Sequence, residues 1–558
     1  MNSMPGTRKK LRAIYLSVLL IDILAILIGA VYLYLSAEYE SILWNLYGLF
    51  IFAALIGNIC IAYIDDPRNL RGYLYLAFSV ISLLLIPLFN SLASFTVTHY
   101  NSRSIVSCAL IFALFLSGGL MTASRLLCRE TEAEILLDDL AIKKIKRSRR
   151  KSTAKTVVIV FLSMILSAGI AASLKILIIT EKLWPVEVFV PAVSLFYAFV
   201  ALSVGMLILK LMTGKGGTIV KTVYSLVTLF VFVVCILPFA ASPFMIRNAE
   251  TEYLRTFGEE YPVSPDFDTE HFRKVRFSIP EYFFGTVSEG FVVRKDIPFY
   301  EGTGRDDNGL RLYFDVYTPA TDGDTLPGGN SVLVRIHGGG WTSGDKGFFN
   351  NAQINKYFAG RGYAVFDIQY GLSDIKGTAE AGADRYGDFT VDDMVRHIGI
   401  FMEYLYEHSD EFNANTDSVF ISGCSAGGNL ALASGLALAS GKYSDIPGQK
   451  VKIRGIIPYY PANELANSFG IGSSPEFHDP GKLVVQSSPP CLIFQGTSDG
   501  LVKYPVTEKL KNAYTEAGNP KCAIITVPFG GHACDMYFTG YYNQLFLYYM
   551  ERFMYVFR

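Results

Sequence analysis

Seven stretches of this chain are apolar enough, and long enough at about 1.5 Å per helical residue, to cross the roughly 30 Å of hydrocarbon in a bilayer. They lie near 13–35, 42–64, 72–89, 104–124, 156–180, 186–209 and 218–241. A backbone crossing lipid has to satisfy its own amides and carbonyls, so each run reads as a helix. Residues 1–242 are therefore expected to form a transmembrane bundle of seven spans. The last run, TIVKTVYSLVTLFVFVVCILPFA, is the clearest. The third is the weakest, because Pro87 and Asn90 fall at its end. Leu35–Ala37 resembles a signal-peptide cleavage site, but the apolar core before it is too long and six more runs follow.

Charge divides the chain at the same place. Only 18% of all residues are charged and 51% are hydrophobic, which excludes disorder and coiled coil. Short loops sharing the N-terminal side (1–12, 65–71, 125–155, 210–221) hold nineteen Lys and Arg, against two in 36–41, 90–103 and 181–185. Positive charge collects on the cytoplasmic side. The bias puts the N-terminus and the run Lys143–Lys155 in the cytoplasm. Seven crossings then put the rest of the chain on the extracytoplasmic side of the cell membrane. The basic loop 125–155 has the spacing of a helix whose cationic end rests on anionic lipid. Nucleic acid is excluded as a partner, since the clustered basic charge adjoins apolar runs. Asp22 and Lys175 fall inside apolar runs. Lys175 is near enough to a span end to snorkel, and Asp22 has either a partner in the bundle or a relay role.

Residues 243–290 read as a juxtamembrane connector. From 291 to 558 strands and helices alternate. Strands are expected at 291–300, 310–317, 331–336, 364–369, 418–422, 455–460, 491–495 and 523–527. Helices are expected at 351–360, 391–408, 426–439, 504–517 and 535–557. Two hairpin strands followed by βα units imply a mostly parallel sheet covered on both faces.

Two motifs sit at strand ends. Gly423-Cys424-Ser425-Ala426-Gly427 follows the apolar strand SVFIS and precedes the helical ALASGLALAS, the setting of a nucleophile elbow. Glycines flank the serine because a sharp strand-to-helix turn leaves no room for side chains. His337-Gly338-Gly339-Gly340-Trp341 follows the strand VLVRI. Consecutive glycines let backbone N–H groups converge on a developing oxyanion, each worth about 3 kcal/mol.

A nucleophilic serine needs a base and an acid. Of seven histidines, His99 lies between spans and His271 before the core. His337 belongs to the glycine loop, where it orients the backbone. His397 and His408 fall on a helix, and His478 in a long connection. His532, between the last strand and the last helix, remains. The acid should precede it in the chain. Asp499 lies just past the preceding strand. Asp535 competes, but is close in sequence to the histidine it would orient.

Residues about 290–558 resemble α/β-hydrolases of the hormone-sensitive-lipase-like and bacterial feruloyl- or acetyl-esterase-like groups. The stretches that carry the likeness are HGGGW, DIQYGL, GCSAGGNLAL, SSPPCLIFQGTSDGLVKY and GGH. The resemblance implies an α/β-hydrolase fold and hydrolysis of carboxylic esters with small, carbohydrate-linked or lipid-linked acyl groups. It implies Ser425 as nucleophile, His532 as base and then acid, and Asp499 holding the imidazole. It also implies oxyanion binding by the amides of Gly339, Gly340 and Ala426, with no metal or cofactor. Many members have Tyr-Arg-Leu where this chain has Tyr370-Gly371-Leu372, the arginine pairing with an acid at the position of Asp393. Arg385 and Arg396 are the available substitutes.

A serine peptidase or acyltransferase is the rival chemistry. The neighbours Cys424 and Ala426 and the lack of a propeller domain count against a peptidase. A non-enzymatic sensor or transporter with a degenerate hydrolase is the other rival, and no triad member is missing. No metal-ligand spacing occurs among the eight cysteines. An extracytoplasmic domain permits a Cys522–Cys534 disulfide, although the last strand separates them. Aromatic residues cover every side of the last helix. Phe538, Tyr541, Tyr548 and Tyr555 on its outer face are expected either against the connector or at the membrane interface.

Overall fold

The computed structural model describes residues 5–35, 41–65, 69–96, 103–127, 149–178, 187–212, 217–258, 271–304, 306–374 and 384–558. The basic run in 128–148 lies outside the described residues. Among the described residues, seven helices are long and apolar enough to cross a membrane. They are α1 (Pro5–Leu35), α2 (Trp44–Ile64), α3 (Leu70–Ser94), α4 (Ile105–Leu127), α5 (Arg149–Leu177), α6 (Ser194–Leu211) and α7 (Thr218–Ala240). The third is longer than expected, because Pro87 sits inside it without ending it. The sixth starts later, at Ser194, after the non-helical residues around Pro191. Asp22 accepts a 2.6 Å hydrogen bond from Asn58 inside the bundle. Lys175 does not snorkel. It is buried and ion-paired with Glu187, in the segment leading into α6.

Past α7, the helix α8 (Ser242–Tyr253) and the short helix α9 (Ile279–Phe284) make the connector. The latter is a plug rather than a tether. Ser278 caps it. Phe284 lies against Tyr32, Tyr47 and Phe112, and Phe283 against Phe52 and Phe196, all on membrane helices.

The rest is an eight-stranded sheet with strand order β1-β2-β4-β3-β7-β8-β9-β10. Its strands are β1 (Phe291–Glu301), β2 (Arg311–Pro319), β3 (Ser331–Ile336), β4 (Ala364–Ile368), β7 (Asn415–Cys424), β8 (Ile453–Tyr459), β9 (Cys491–Gly496) and β10 (Cys522–Val527). The first two form an antiparallel hairpin, β2 meets β4 antiparallel, and every other pairing is parallel. The two-residue strands β5 (Leu372–Ser373) and β6 (Tyr386–Gly387) pair separately. This is the α/β-hydrolase arrangement, on a mixed and mostly parallel sheet.

Alternate residues of each strand serve different cores. Val332, Val334 and Ile336 face α11 (Val391–Glu407), α12 (Ala426–Ser440) and α13 (Tyr504–Glu516). Leu333, Phe420, Ile457, Phe494 and Ile525 face α10 (Asn351–Ala359) and α14 (Tyr541–Phe557). That second core runs without a break into the membrane bundle. Helix α14 is thus buried among sheet, connector and bundle, and its polar residues Gln544 and Glu551 are paired with Arg273 of the connector. Phe538, Tyr541 and Tyr548 are buried, and of the two expected placements the rings take the one against the connector: Tyr541 meets Phe277, Tyr548 meets Arg276 and Tyr555 meets Phe272. Tyr541 stacks on Tyr282 at 5.8 Å, and its hydroxyl donates to the carbonyl of Pro191. The last helix also starts six residues later than expected, at Tyr541.

Candidate active site

Strand β7 ends at Cys424 and α12 begins at Ala426, so Ser425 alone makes the turn. Its backbone sits at φ 56°, ψ −119°. A non-glycine residue there carries about 1–3 kcal/mol of strain. The flanking glycines permit close packing. A Cβ on Gly427 would lie 2.3 Å from the carbonyl oxygen of Ile336, and one on Gly423 2.2 Å from that of Gly427. The elbow is pressed onto the end of β3, where the HGGGW loop starts. The Ser425 amide donates to the Tyr459 carbonyl at 3.0 Å, and its own carbonyl accepts from Ala462 at 3.0 Å.

Three residues from three strand ends form one hydrogen-bonded chain. His532 Nε2 lies 2.9 Å from Ser425 Oγ, and His532 Nδ1 lies 2.9 Å from Asp499 Oδ2. Asp499 and His532 are both buried. Asp499 Oδ1 accepts the amides of Leu501 at 2.9 Å and Val502 at 2.7 Å, which fixes the carboxylate plane. Tyr460 packs edge-on against the imidazole, with ring centroids 4.8 Å apart. Its hydroxyl donates to Asp535 Oδ1 at 2.6 Å. The competing acid is therefore engaged by a phenol rather than by the imidazole, and burial holds its carboxyl above the ordinary range. Burial likewise pushes the Cys424 thiol up to about 11, which favours its protonated form.

The glycine loop folds back on itself. Gly339 has φ 123°, and a Cβ there would fall 1.9 Å from the Ser343 carbonyl oxygen. Gly340 has φ 61°. Among the described residues, the amides of Gly339, Gly340 and Ala426 donate to no other group. His337 is buried and stacked on Tyr370 at 4.4 Å, with Nδ1 2.8 Å from the Gly338 carbonyl oxygen. Burial lowers its pKa to about 4. It is a neutral brace under the loop.

These groups open into a cavity of about 450 Å³ walled largely by apolar side chains, including Trp341, Phe348, Phe349, Leu465, Phe469, Leu501 and Met536. Val188 and Phe189, from the segment before α6, complete it. Sequence reasoning missed them, because they lie in what reads as the start of a membrane span. A serine hydroxyl hydrogen-bonded to an imidazole, free amides and an apolar cavity can together carry out acyl transfer.

The open question at Gly371 also resolves. A Cβ there would come within 2.7 Å of Phe389 and 2.8 Å of His397, so the site has no room for a side chain. Arg396 instead binds Asp307 through two nitrogens, at 2.6 and 2.8 Å, and touches Asp393 at 3.3 Å. Arg385 pairs with Asp345. Cys522 and Cys534 are free thiols, and Cys522 lies in register with Cys491 on the neighbouring strand.

Residues 314–478 match the family model BD-FAE, for bifunctional feruloyl/acetyl esterases. The matched segment is similar to an esterase-family α/β-hydrolase domain, and seven candidate membrane helices precede it in this chain. The match includes the glycine loop and the elbow but ends before Asp499 and His532. Similar solved structures include esterase B from Lactobacillus rhamnosis bound to a tributyrin phosphonate. It is 17% identical with a TM-score of 0.35, covering 53% of this chain and 89% of that one. Another is Thermogutta terrifontis esterase 2 phosphonylated by cyclosarin. It is 23% identical with a TM-score of 0.34, covering 44% of this chain and 86% of that one. No curated protein matches the chain.

Proposed function

We propose that this protein is a multi-pass membrane serine esterase whose site hydrolyses carboxylic esters by acyl transfer through Ser425. The observation that carries the proposal is the chain Ser425 Oγ–His532–Asp499 at the floor of an apolar cavity. Ser425 Oγ attacks the ester carbonyl carbon while His532 Nε2 takes its proton. Asp499, on the other ring nitrogen, holds the tautomer and stabilises the imidazolium. The amides of Ala426 and of Gly339 or Gly340 receive the oxyanion. The tetrahedral intermediate collapses, breaking the ester C–O bond, and His532 gives its proton to the departing alkoxide. Water then repeats the sequence on the acyl-enzyme, releasing the acid and restoring Ser425.

The cavity wall favours an apolar acyl or aryl group over a charged one. Its position beside the bundle suits an ester carried by an envelope lipid or glycan. The connector packs on one end of the bundle, against Asn45 at the start of α2 and Asn90 near the end of α3, and Asn90 also reaches Tyr537 of the hydrolase. Asp65 and Arg125 pair at the other end, with Lys210 bonded to the Asp65 carbonyl. The described basic residues Arg125 and Lys210 lie at that far end, which supports an extracytoplasmic hydrolase.

The test is a series of p-nitrophenyl esters of rising acyl length on the full-length protein in detergent. Turnover that is abolished by Ser425→Ala supports the reading, and equal turnover by that variant removes it.

A further inference from the structure

Glu187 belongs to the membrane region by sequence and to the hydrolase by its contacts. It is buried, and its carboxylate pairs with Lys175 at the end of α5. Its Oε2 accepts the amide of Gly500 at 2.9 Å and the amide of His532 at 3.2 Å. Gly500 directly follows Asp499. One oxygen therefore bridges the loop that carries the acid and the loop that carries the imidazole, beside the backbone hydrogen bonds from Thr497 to the Val527 carbonyl at 3.0 Å and from Ser498 to the Gly530 carbonyl at 2.9 Å. The hydrolase is shaped for this visitor. A Cβ on Gly531 would lie 2.5 Å from the Cβ of Glu187 and 3.0 Å from its Cγ, so only glycine lets the carboxylate in. The next two residues, Val188 and Phe189, form part of the cavity wall.

We propose that Glu187 is a positioning residue for the reaction, so that the membrane bundle is part of the active site rather than its anchor. This rests on the esterase reading above. A buried carboxylate that receives two amides and a lysine is paired on both sides, so its geometry is sharply held. Displacing it releases the amides next to the acid and on the imidazole residue itself, and small misplacements of a base and its acid cost large factors in rate. Binding of a small ester in the cavity depends on other walls and changes little.

The experiment uses full-length protein in detergent and two charge-matched double variants. Lys175→Met/Glu187→Gln keeps an acceptor oxygen without leaving an unpaired charge. Lys175→Met/Glu187→Leu removes the acceptor. The first is expected to keep kcat within about threefold of the parent. The second is expected to lose about 10²-fold in kcat with KM within about threefold, and to react with a fluorophosphonate more slowly by a similar factor. Equal kcat in the two double variants overturns the proposal, whether both stay active or both fail. Gly531→Ala, with both charges intact, is the second route. It crowds Glu187 and is expected to lower kcat at unchanged KM. Parent-like kcat in a folded Gly531→Ala protein also counts against the proposal. Labelling of Ser425 in the parent protein tells failure here apart from failure of the esterase reading.

Discussion

Asn90 in the third membrane helix donates a hydrogen bond to the hydroxyl of Tyr537 at 3.2 Å, across 447 positions of sequence. The same amide group donates to the Phe283 carbonyl at 2.9 Å, and Tyr537 donates to the Tyr282 carbonyl at 2.5 Å. Bundle, plug and hydrolase thus meet at one buried node. The hydrolase is docked on the membrane helices through its own core, with α10 and α14 between the sheet and the bundle.

That docking predicts that residues 271–558 expressed alone will not form a soluble, well-folded monomer. Removing the bundle uncovers Tyr537, which meets Asn90 and Phe196, and Tyr541, which meets Pro191 and Ser194, each worth about 1.5–3 kcal/mol when buried. Size-exclusion chromatography without detergent checks this. A monodisperse domain with a sharp melting transition counts against it.

The two candidate acids differ in what they hold. Asp499→Asn is expected to cut kcat by about 10⁴-fold, because the imidazole loses its carboxylate partner. Asp535→Asn leaves that pair intact and is expected to cost less than about tenfold. Steady-state kinetics on one ester decides it, and the reverse order would exchange their roles.

His337 predicts an acid-sensitive fold. Its pKa is about 4 in the folded protein, against an ordinary 6.5, because burial disfavours the charged ring. The unfolded chain binds the proton first, so stability is full above about pH 6.5 and falls as pH drops towards 4. The loss attributable to this ring is up to about 3 kcal/mol. Melting curves from pH 7 to 4 for the parent and His337→Gln check it. The variant should show the shallower decline, and parallel curves contradict the assignment.

Topology is testable by reporter fusion. Fusions after residues 140 and 215 are expected to read as cytoplasmic, and one at 558 as extracytoplasmic. A cytoplasmic signal at 558 reverses the orientation.

The sheet was legible because buried parallel strands are short apolar runs bounded by turn residues. SVLVRI, AVFDI and CLIFQG stand where they were expected. Ser425 and the glycine loop were legible because an elbow needs small residues at fixed offsets. His532 came from elimination, and Asp499 from its place after a strand. Glu187 was not legible. Its partners Lys175, Gly500 and His532 lie on segments far apart in the chain, and no local period marks such a contact. Lys175 looked like a span-end lysine for the same reason. The rings of α14 left two placements open, because one helix considered alone does not show what covers it, and the connector residues Arg276 and Phe272 cover Tyr548 and Tyr555.

The central claim is that Ser425 is an activated nucleophile. The direct measurement is intact and peptide mass analysis of the full-length protein after treatment with a fluorophosphonate. The expected result is one adduct per chain on the peptide containing Ser425, lost in Ser425→Ala and strongly slowed in His532→Ala. A folded protein that takes up no adduct, or takes it up on another residue, contradicts the account.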